Sequence, residues 1–546
     1  MDVSISIFLV ALLFLSPLSL LTLPFSITFC GRAIGWYIRK KTNPRKELLL
    51  ARATADEKEF QGKSEANVDE EWEKVESYAV GSDGNGDKGS KSWMGVIGFF
   101  HPFCNAGGGG ERVLWAAIRA TQQRWPDALC VVYTGDHDVD KTAIIDRVRT
   151  RFNIHLHPPK VQFLYLSTRR FVLASTWPHF TLLGQSVGSL ILAYDAFNLM
   201  IPDIFIDTMG YAFTMALSKF LFPDVPTGAY VHYPTISTDM LGSLDEGGQG
   251  VNAGKGKGYR GAAKRRYWLA FAWLYGWCGG QVDVVMTNSS WTQEHIKQLW
   301  GPKRTKRRSA FEVEVVFPPV AVEELEQAVD ISTESEKKRG KYLLYIAQFR
   351  PEKNHQVILD AFAKFLQNYK GPAQDKPKLI LIGSVRDSDD ATRVYKLRLM
   401  AHELKIKDDT EFLCDAPWPQ ILDWLRRSWV GVNGMWNEHF GIGVVEYQAA
   451  GLISVVNASG GPKIDIVVDI DGKPTGFHAT NADDFATGFA KALELGPEER
   501  LAMRLRARKS AKRFTEDAFA ERWIKHMGRL LQLYHDNHPM IETKQS

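Results

Sequence analysis

The chain has 546 residues, 45% hydrophobic and 24% charged, which is enough material for two large domains with appendages. A net charge of +4 is small for that length, so nothing in the balance calls for nucleic acid as a partner. Five scattered cysteines (Cys30, Cys104, Cys130, Cys278 and Cys414), without a Cys-x-x-Cys pair, fit neither a disulfide framework nor a zinc site and point to a reducing compartment.

The first element is Val3 to Gly31, an uncharged run rich in Leu, Ile, Phe and Val. About 20 helical residues cross a bilayer core of ~30 Å, so residues 1–31 are expected to form a transmembrane anchor. A cleaved signal peptide would want a basic stretch before the run, and only Asp2 precedes it. Arg32, Arg39, Lys40, Lys41, Arg45 and Lys46 crowd the far side, which by the positive-inside rule makes the N-terminus lumenal and the remainder cytosolic. Residues 32–92 then turn from basic to acidic and Gly-rich, and read as a flexible tether that buries too little apolar surface to fold alone.

A first domain is expected over 93–305. It opens on a buried-strand pattern from Trp93 to Phe100, followed by a Gly-rich turn and a helix from near Gly110. Apolar runs at Leu129 to Tyr133, Ile204 to Ile206, Ala229 to His232 and Val282 to Thr287 alternate with helical stretches, the pattern of a parallel sheet covered on both faces. Two uncharged segments in this domain, Phe171 to Tyr194 and Tyr267 to Val282, read as buried or interfacial helices. The second follows Lys255, Lys257, Arg260, Lys264, Arg265 and Arg266, a basic lead-in suited to an anionic membrane surface and a lipid diphosphate. A linker over 306–340 leads to a second domain over 341–510. Its strands fall at Tyr342 to Ala347, Leu379 to Ile382, Glu411 to Cys414, Trp429 to Asn433 and Ile453 to Val456, and a C-terminal helix over 511–546 closes the chain. Two doubly wound domains facing across a cleft follow, with ligands at the carboxyl ends of the strands.

Four constellations carry chemistry. In Asn437-Glu438-His439-Phe440-Gly441-Ile442-Gly443-Val444-Val445-Glu446, two carboxylates bracket two glycines at a helix start, where unpaired N–H groups suit a phosphate. Eight helical residues would set the carboxylates ~12 Å apart. That is beyond the ~5 Å of a retaining glycosidase pair, so they would grip two parts of one extended ligand. Gln348-Phe349-Arg350-Pro351-Glu352-Lys353-Asn354-His355 places Arg350 and Lys353 at a strand end, where two cations can neutralise a departing diphosphate or can form a solvated basic turn. Asn105-Ala106-Gly107-Gly108-Gly109-Gly110-Glu111-Arg112 fails the dinucleotide spacing in every register and reads as a backbone cradle near phosphate or acceptor. His232, in Val231-His232-Tyr233-Pro234, ends another strand and either faces the cleft or is structural. The tripeptides Asp136-His137-Asp138 and Asp469-Ile470-Asp471 imitate a metal motif that is cheap in a chain with 63 acidic residues.

Together these motifs resemble glycosyltransferase family 4 from Trp93 to about Tyr534. Within it, His101 to Trp115, Tyr230 to Thr235, Ala347 to His355 and Trp436 to Gly443 are similar to the eukaryotic branch of α-1,2-mannosyltransferases that act on dolichol-linked oligosaccharides. Phe349 stands where the family usually has glycine, as in that branch. The resemblance implies a GT-B fold of two Rossmann-like domains. It also implies retaining, metal-independent transfer, without a cofactor, of the fourth and fifth mannoses from GDP-mannose to a dolichyl-diphosphate oligosaccharide at the cytosolic face of the endoplasmic reticulum membrane. Other early glycosylation mannosyltransferases are implied partners. In this reading Arg350 and Lys353 hold the donor diphosphate, Glu446 the ribose and Glu438 the mannose. Amides from Phe440, Gly441, Ile442 and Gly443 line sugar and phosphate, Gly109 and Gly110 border the donor, and His232 lies against the mannosyl group. The rivals are a lipid-linked-glycan transferase with a different nucleotide-sugar donor, a non-catalytic nucleotide-sugar-binding scaffold, and, more distantly, a dehydrogenase.

Overall fold

The computed structural model describes residues 3–66, 93–245, 258–304 and 312–539, with side chains of the first helix described from residue 23 to 62. Continuous apolar runs become strands buried on both faces, as parallel sheets require. The first sheet comprises β1 (Val96–Phe100), β2 (Leu129–Thr134), β3 (Val161–Tyr165), β4 (Ile204–Asp207), β5 (Thr227–Val231), β6 (Val284–Thr287) and β7 (Glu314–Val315). Its spatial order is β3-β2-β1-β4-β5-β6-β7 and every pairing is parallel.

The second sheet comprises β8 (Gly340–Ile346), β9 (Lys378–Gly383), β10 (Thr410–Cys414), β11 (Ser428–Asn433), β12 (Ile453–Asn457) and β13 (Gly476–Ala479). Its order, β10-β9-β8-β11-β12-β13, repeats the same winding, again all parallel. Strand order reverses between β1 and β4 in one sheet and between β8 and β11 in the other. Crevices for ligands open at such reversals, beyond the carboxyl ends of the strands. Each sheet separates two apolar clusters, one per face.

The expected tether does not begin at residue 32. Val3–Ala66 is one continuous helix, and beyond its apolar run it docks on the first domain with Ile38 and Ala53 buried. Leu49 and Leu50 pack against the same core. Ion pairs Arg39–Asp224 (2.8 Å) and Lys46–Asp203 (2.6 Å) with a His157–Glu57 contact (2.7 Å) flank this narrow apolar stripe, whose many polar neighbours are why polarity alone misread the stretch. The remainder of the expected tether, 67–92, lies outside the described residues, as do the side chains of 3–22, most of the expected anchor. Among the described residues no helix is long and apolar enough to cross a membrane. Within the expected linker, residues 314–315 instead supply β7, the edge of the first sheet.

The C-terminal helix also differs from a simple appendage. Glu516–Asn537 crosses back to the first domain and buries Phe519, Trp523, Met527 and Leu530 against the cluster around Ile97 and Trp115. Trp523 Nε1 donates to Thr121 Oγ1 at 3.0 Å. The two crossings between domains touch, with Val320 N–H donating to Phe514 O at 2.9 Å.

Candidate functional site

On the second domain the β8/β11 reversal brings the two main motifs face to face. The turn after β8 ends in Lys353 and the loop after β11 carries Glu438, and Lys353 Nζ meets Glu438 Oε2 at 2.6 Å. Asn433 Nδ2 donates to the same oxygen at 3.4 Å. Burial alone would raise the Glu438 carboxyl, but the Lys353 ammonium outweighs it and holds Glu438 below its ordinary value. Arg350 lies on the same turn, 3.8 Å from Glu352, and its Nε is buried without a hydrogen-bond partner among the described residues. The turn is fixed from beneath by Tyr345, whose hydroxyl donates to Lys353 O at 2.5 Å, and by the His355 ring tilted against Tyr345.

The helix after Glu438 is Ile442–Ala449, so only the last part of the Glu438–Glu446 interval is helical, and Glu438 lies on the preceding turn. Gly441 sits at φ +106, a left-handed conformation that costs glycine nothing. Phe440 turns its ring away into a cluster with Phe317 and Phe514 at the domain crossing, leaving its backbone at the site. Gly443 keeps the strand end and the acid close: a Cβ there would lie 3.9 Å from Ile346 O and 4.0 Å from Glu446 Oε2. Burial raises the Glu446 carboxyl above its ordinary value, only partly offset by the Arg112 guanidinium of the first domain.

The first domain supplies the opposite wall. Gly109 packs so close to the second domain that a Cβ would lie 2.6 Å from Ile442 Cδ1. Gly110 borders His232, whose Nε2 would lie 3.6 Å from a Cβ there. The glycine turn therefore leaves room for the opposing helix start, a packing role beside the expected cradle. His232 Nε2 lies 3.0 Å from Thr208 O. A carbonyl only accepts, so Nε2 carries the proton and Nδ1 is left as an acceptor. Burial, helped by His101, pushes His232 down to about 4, so the ring is neutral near neutral pH.

His232 is held by residues the motifs did not single out for this role. Thr208 Oγ1 lies 2.7 Å from His101 Nδ1, and His101 Nε2 faces Glu111 Oε1 at 3.8 Å. Glu111 Oε2 in turn accepts from Gly108 N–H at 2.6 Å, capping the Gly109–Arg124 helix. Burial would raise the Glu111 carboxyl, yet the His101 ring beside it and the Gly108 N–H hold it below its ordinary value. His101 and Glu111 stood in the glycine signature; Thr208 had no local signal, being placed only by the β1/β4 pairing.

A second group missed by the motifs spans the cleft. Asn437 Nδ2 donates to Asp239 Oδ2 at 2.6 Å, and the His439 ring lies against Tyr233 (4.8 Å between centroids) and Trp291 (5.2 Å). Ser290 N–H donates to Asp465 Oδ2 at 2.9 Å, a further bond between the domains. Arg350, Lys353, Glu438, Phe440, Gly441, Ile442, Gly443 and Glu446 thus lie on the turns and helix start at the β8/β11 reversal, and Gly109, Gly110 and His232 on the first domain, with Gly109 set against Ile442. The metal-like tripeptides are engaged elsewhere, Asp136 with Arg169 and Asp471 with Lys509. Among the described residues no group of three or more His, Cys, Asp or Glu side chains is placed to hold a metal ion.

Comparisons with known proteins follow this geometry. Residues 94–300 match a family model described as ALG11 mannosyltransferase N-terminus, and residues 327–510 match one described as Glycosyl transferases group 1. A Neurospora crassa protein named GDP-Man:Man(3)GlcNAc(2)-PP-Dol alpha-1,2-mannosyltransferase is 62% identical over 534 residues, 95% of each chain. The human protein of the same name is 43% identical over 449 residues, 82% of this chain and 89% of its own. Among solved structures, the Candida albicans trehalose-6-phosphate phosphatase N-terminal domain superposes with a TM-score of 0.59 at 13% identity, covering 83% of this chain and 99% of its own. Anabaena HepE in complex with UDP and glucose gives 0.52 at 14% identity, covering 80% and 100%. At such identities the structural matches speak for the two-domain fold alone.

Proposed function

This chain belongs to the family of GDP-Man:Man(3)GlcNAc(2)-PP-Dol α-1,2-mannosyltransferases, a branch of glycosyltransferase family 4, and on that premise we propose how its cleft performs the transfer. It is a mannosyltransferase of dolichol-linked oligosaccharide assembly, moving mannose from GDP-mannose in α-1,2 linkage onto a dolichyl-diphosphate-linked glycan. The acceptor in its relatives' name bears three mannoses, so the first addition supplies the fourth, and the same site adds the fifth.

The observation that carries the mechanism is the Lys353–Glu438 pair at the β8/β11 reversal, opposite Gly109 and His232. Arg350 and Lys353 neutralise the diphosphate as its bond to the mannose C1 breaks, aided by N–H groups at the start of the Ile442–Ala449 helix. Glu438 takes mannose hydroxyls and Glu446 takes the ribose. His232, with Nδ1 as its acceptor, lies against the mannosyl group. The acceptor hydroxyl attacks from the side the diphosphate leaves and passes its proton to a leaving phosphate oxygen, so the anomeric configuration is retained. In this reading two side-chain cations and the helix start supply the charge, and neither metal nor cofactor takes part.

We place the enzyme at the endoplasmic reticulum membrane, facing the cytosol and held by the Val3–Gly31 segment. Support comes from the uncharged run, the cations that follow it, and exposed Phe25, Phe29, Trp36 and Tyr37 on the same helix. Exposed Leu183, Val187 and Ile191 on the Thr181–Leu199 helix and Trp273 and Trp277 on the Gly258–Gly279 helix extend that apolar surface.

Purified protein given GDP-mannose and a dolichyl-diphosphate glycan with three mannoses should yield α-1,2-linked products without added metal. Transfer from a UDP-sugar instead, or intact cellular glycosylation with Lys353→Ala and Glu438→Ala, would overturn this reading.

A further inference from the structure

Glu438 sits between two residues whose side chains both belong, by contact, to the other domain. Its own domain pairs the Glu438 carboxylate with Lys353 and Asn433 and holds the backbone of the loop, where Asn437 N–H donates to Ser459 Oγ at 2.7 Å and Gly461 N–H to Glu438 O at 2.8 Å. It gives the flanking side chains of Asn437 and His439 over to the first domain. Asn437, four residues past the end of β11, is left-handed at φ 53, a conformation that asparagine tolerates. Its side-chain amide reaches Asp239 Oδ2 at 2.6 Å across the cleft.

Asp239 is prepared for it. The same oxygen accepts from Trp291 Nε1 at 3.3 Å and faces His295 Nε2 at 3.4 Å, both groups of the first domain. His295 is anchored in turn by Thr238 Oγ1 at 2.6 Å from its Nδ1, and Ser237 caps the short Thr238–Ser243 helix on which Asp239 stands. Trp291 takes part twice, since its ring also lies against His439 while Tyr233 stacks on that ring within 12° of parallel. Were the domains to part, Asn437 and His439 would lose these partners, whereas Lys353, Glu438, Arg350 and the Ile442–Ala449 helix start all belong to the second domain.

We infer that Asp239 and Trp291 are positioning residues for the transfer step, holding Asn437 and His439 so that Glu438 takes its place against the sugar only when the cleft is closed. The inference rests on the assignment of Glu438 to the mannose. It separates two functions that the motifs merge: the second domain binds the nucleotide diphosphate by itself, and the first domain makes the bound donor reactive.

Kinetics of mannose transfer and titration with GDP test it together. Asp239→Ala should lower kcat roughly 10- to 100-fold, as a small misplacement of a reacting group does, while GDP affinity stays within about twofold. Asp239→Asn, whose amide oxygen still accepts from Asn437, should recover most of the loss. Asp239→Ala with Asn437→Ala should be no worse than the poorer single variant, because both remove one contact. A kcat within about twofold of wild type for Asp239→Ala, a parallel loss of GDP affinity, or strict additivity with Asn437→Ala would each overturn the proposal. Should Asp239→Ala fail to fold, Trp291→Phe keeps an aromatic face, though a smaller one, and deletes the N–H. It should lower kcat about threefold without changing GDP affinity, and an unchanged kcat would overturn the proposal. Absence of mannose transfer by the wild-type protein would instead strike the functional reading itself.

Discussion

On the second domain's wall, Arg350 and Lys353 occupy one turn, and Glu438 and Glu446 occupy one loop and helix, so each motif is a few contiguous residues at the end of a strand. On the first domain's wall, His232 gets its orientation from Thr208, Thr208 from His101, and His101 faces Glu111, four residues from the ends of β1, β4 and β5 and from a helix start. The first arrangement concentrates charge for one ligand. The second is a chain of supports in which no member has a meaning alone. A site of this kind divides binding from orientation, and the division can be attacked from either side.

The largest effect should come from the concentrated wall. Lys353→Ala removes a diphosphate cation and leaves the Glu438 carboxylate mostly buried and unpaired, so transfer should fall roughly 100- to 1,000-fold, measured with GDP-mannose. Combined with Glu438→Gln the losses should not add, since the two side chains act as a unit.

Gly109→Ala blurs the comparison deliberately. Its Cβ would press on the terminal Cδ1 methyl of Ile442 on the other wall, which must turn aside, so kcat should drop about two- to fivefold while GDP affinity holds, and Ile442→Ala should restore activity. A Gly109→Ala loss that Ile442→Ala does not repair would return the glycine turn to a purely local role.

Glu446 offers a finer test with opposite signs in two measurements. Its folded value lies above its ordinary one, so ionisation at neutral pH costs stability that is regained as pH falls through the folded value. Glu446→Gln should therefore raise the thermal midpoint of the ligand-free protein at pH 7 while weakening GDP binding. Wild-type GDP affinity should decline on the acid side as the carboxylate takes a proton, loses its charge and becomes a weaker acceptor for the ribose hydroxyls.

The smallest effect lies in the supports. Burial lowers His232 and His439 from 6.5 to about 4. Between those values the unfolded chain takes up protons that the folded chain does not, so stability should fall as pH drops from about 6.5 to about 4. Asn at either position should flatten that slope in thermal melts.

The same contrast explains how much the sequence discloses. The strands at Leu129 and Ile453 announce themselves because both faces are buried and the runs are uninterrupted. Three edge strands do not: Gln162 interrupts β3, β7 has two residues, and β13 carries His478, whereas the fourth edge, β10, was read at Glu411 to Cys414. Arg350, Lys353, Glu438 and Glu446 were legible because their chemistry is contiguous. The Asp239–Asn437 bond joins residues 198 positions apart, and no local pattern encodes it. The helix beyond residue 32 was misread because its apolar stripe is narrow (Ile38, Leu49, Leu50 and Ala53) and lies among the charged residues that pair with the first domain. The return of the C-terminal helix to the first domain followed from no periodicity, although Phe519 and Trp523 marked its buried face.

The structure of the protein bound to GDP-mannose tests the central claim most directly. The diphosphate should lie within hydrogen-bonding distance of Arg350, Lys353 and the N–H groups at Ile442 and Gly443, with the mannose between Glu438 and His232. A diphosphate bound away from the Lys353 turn, or a mannose pointing out of the cleft, would contradict the account.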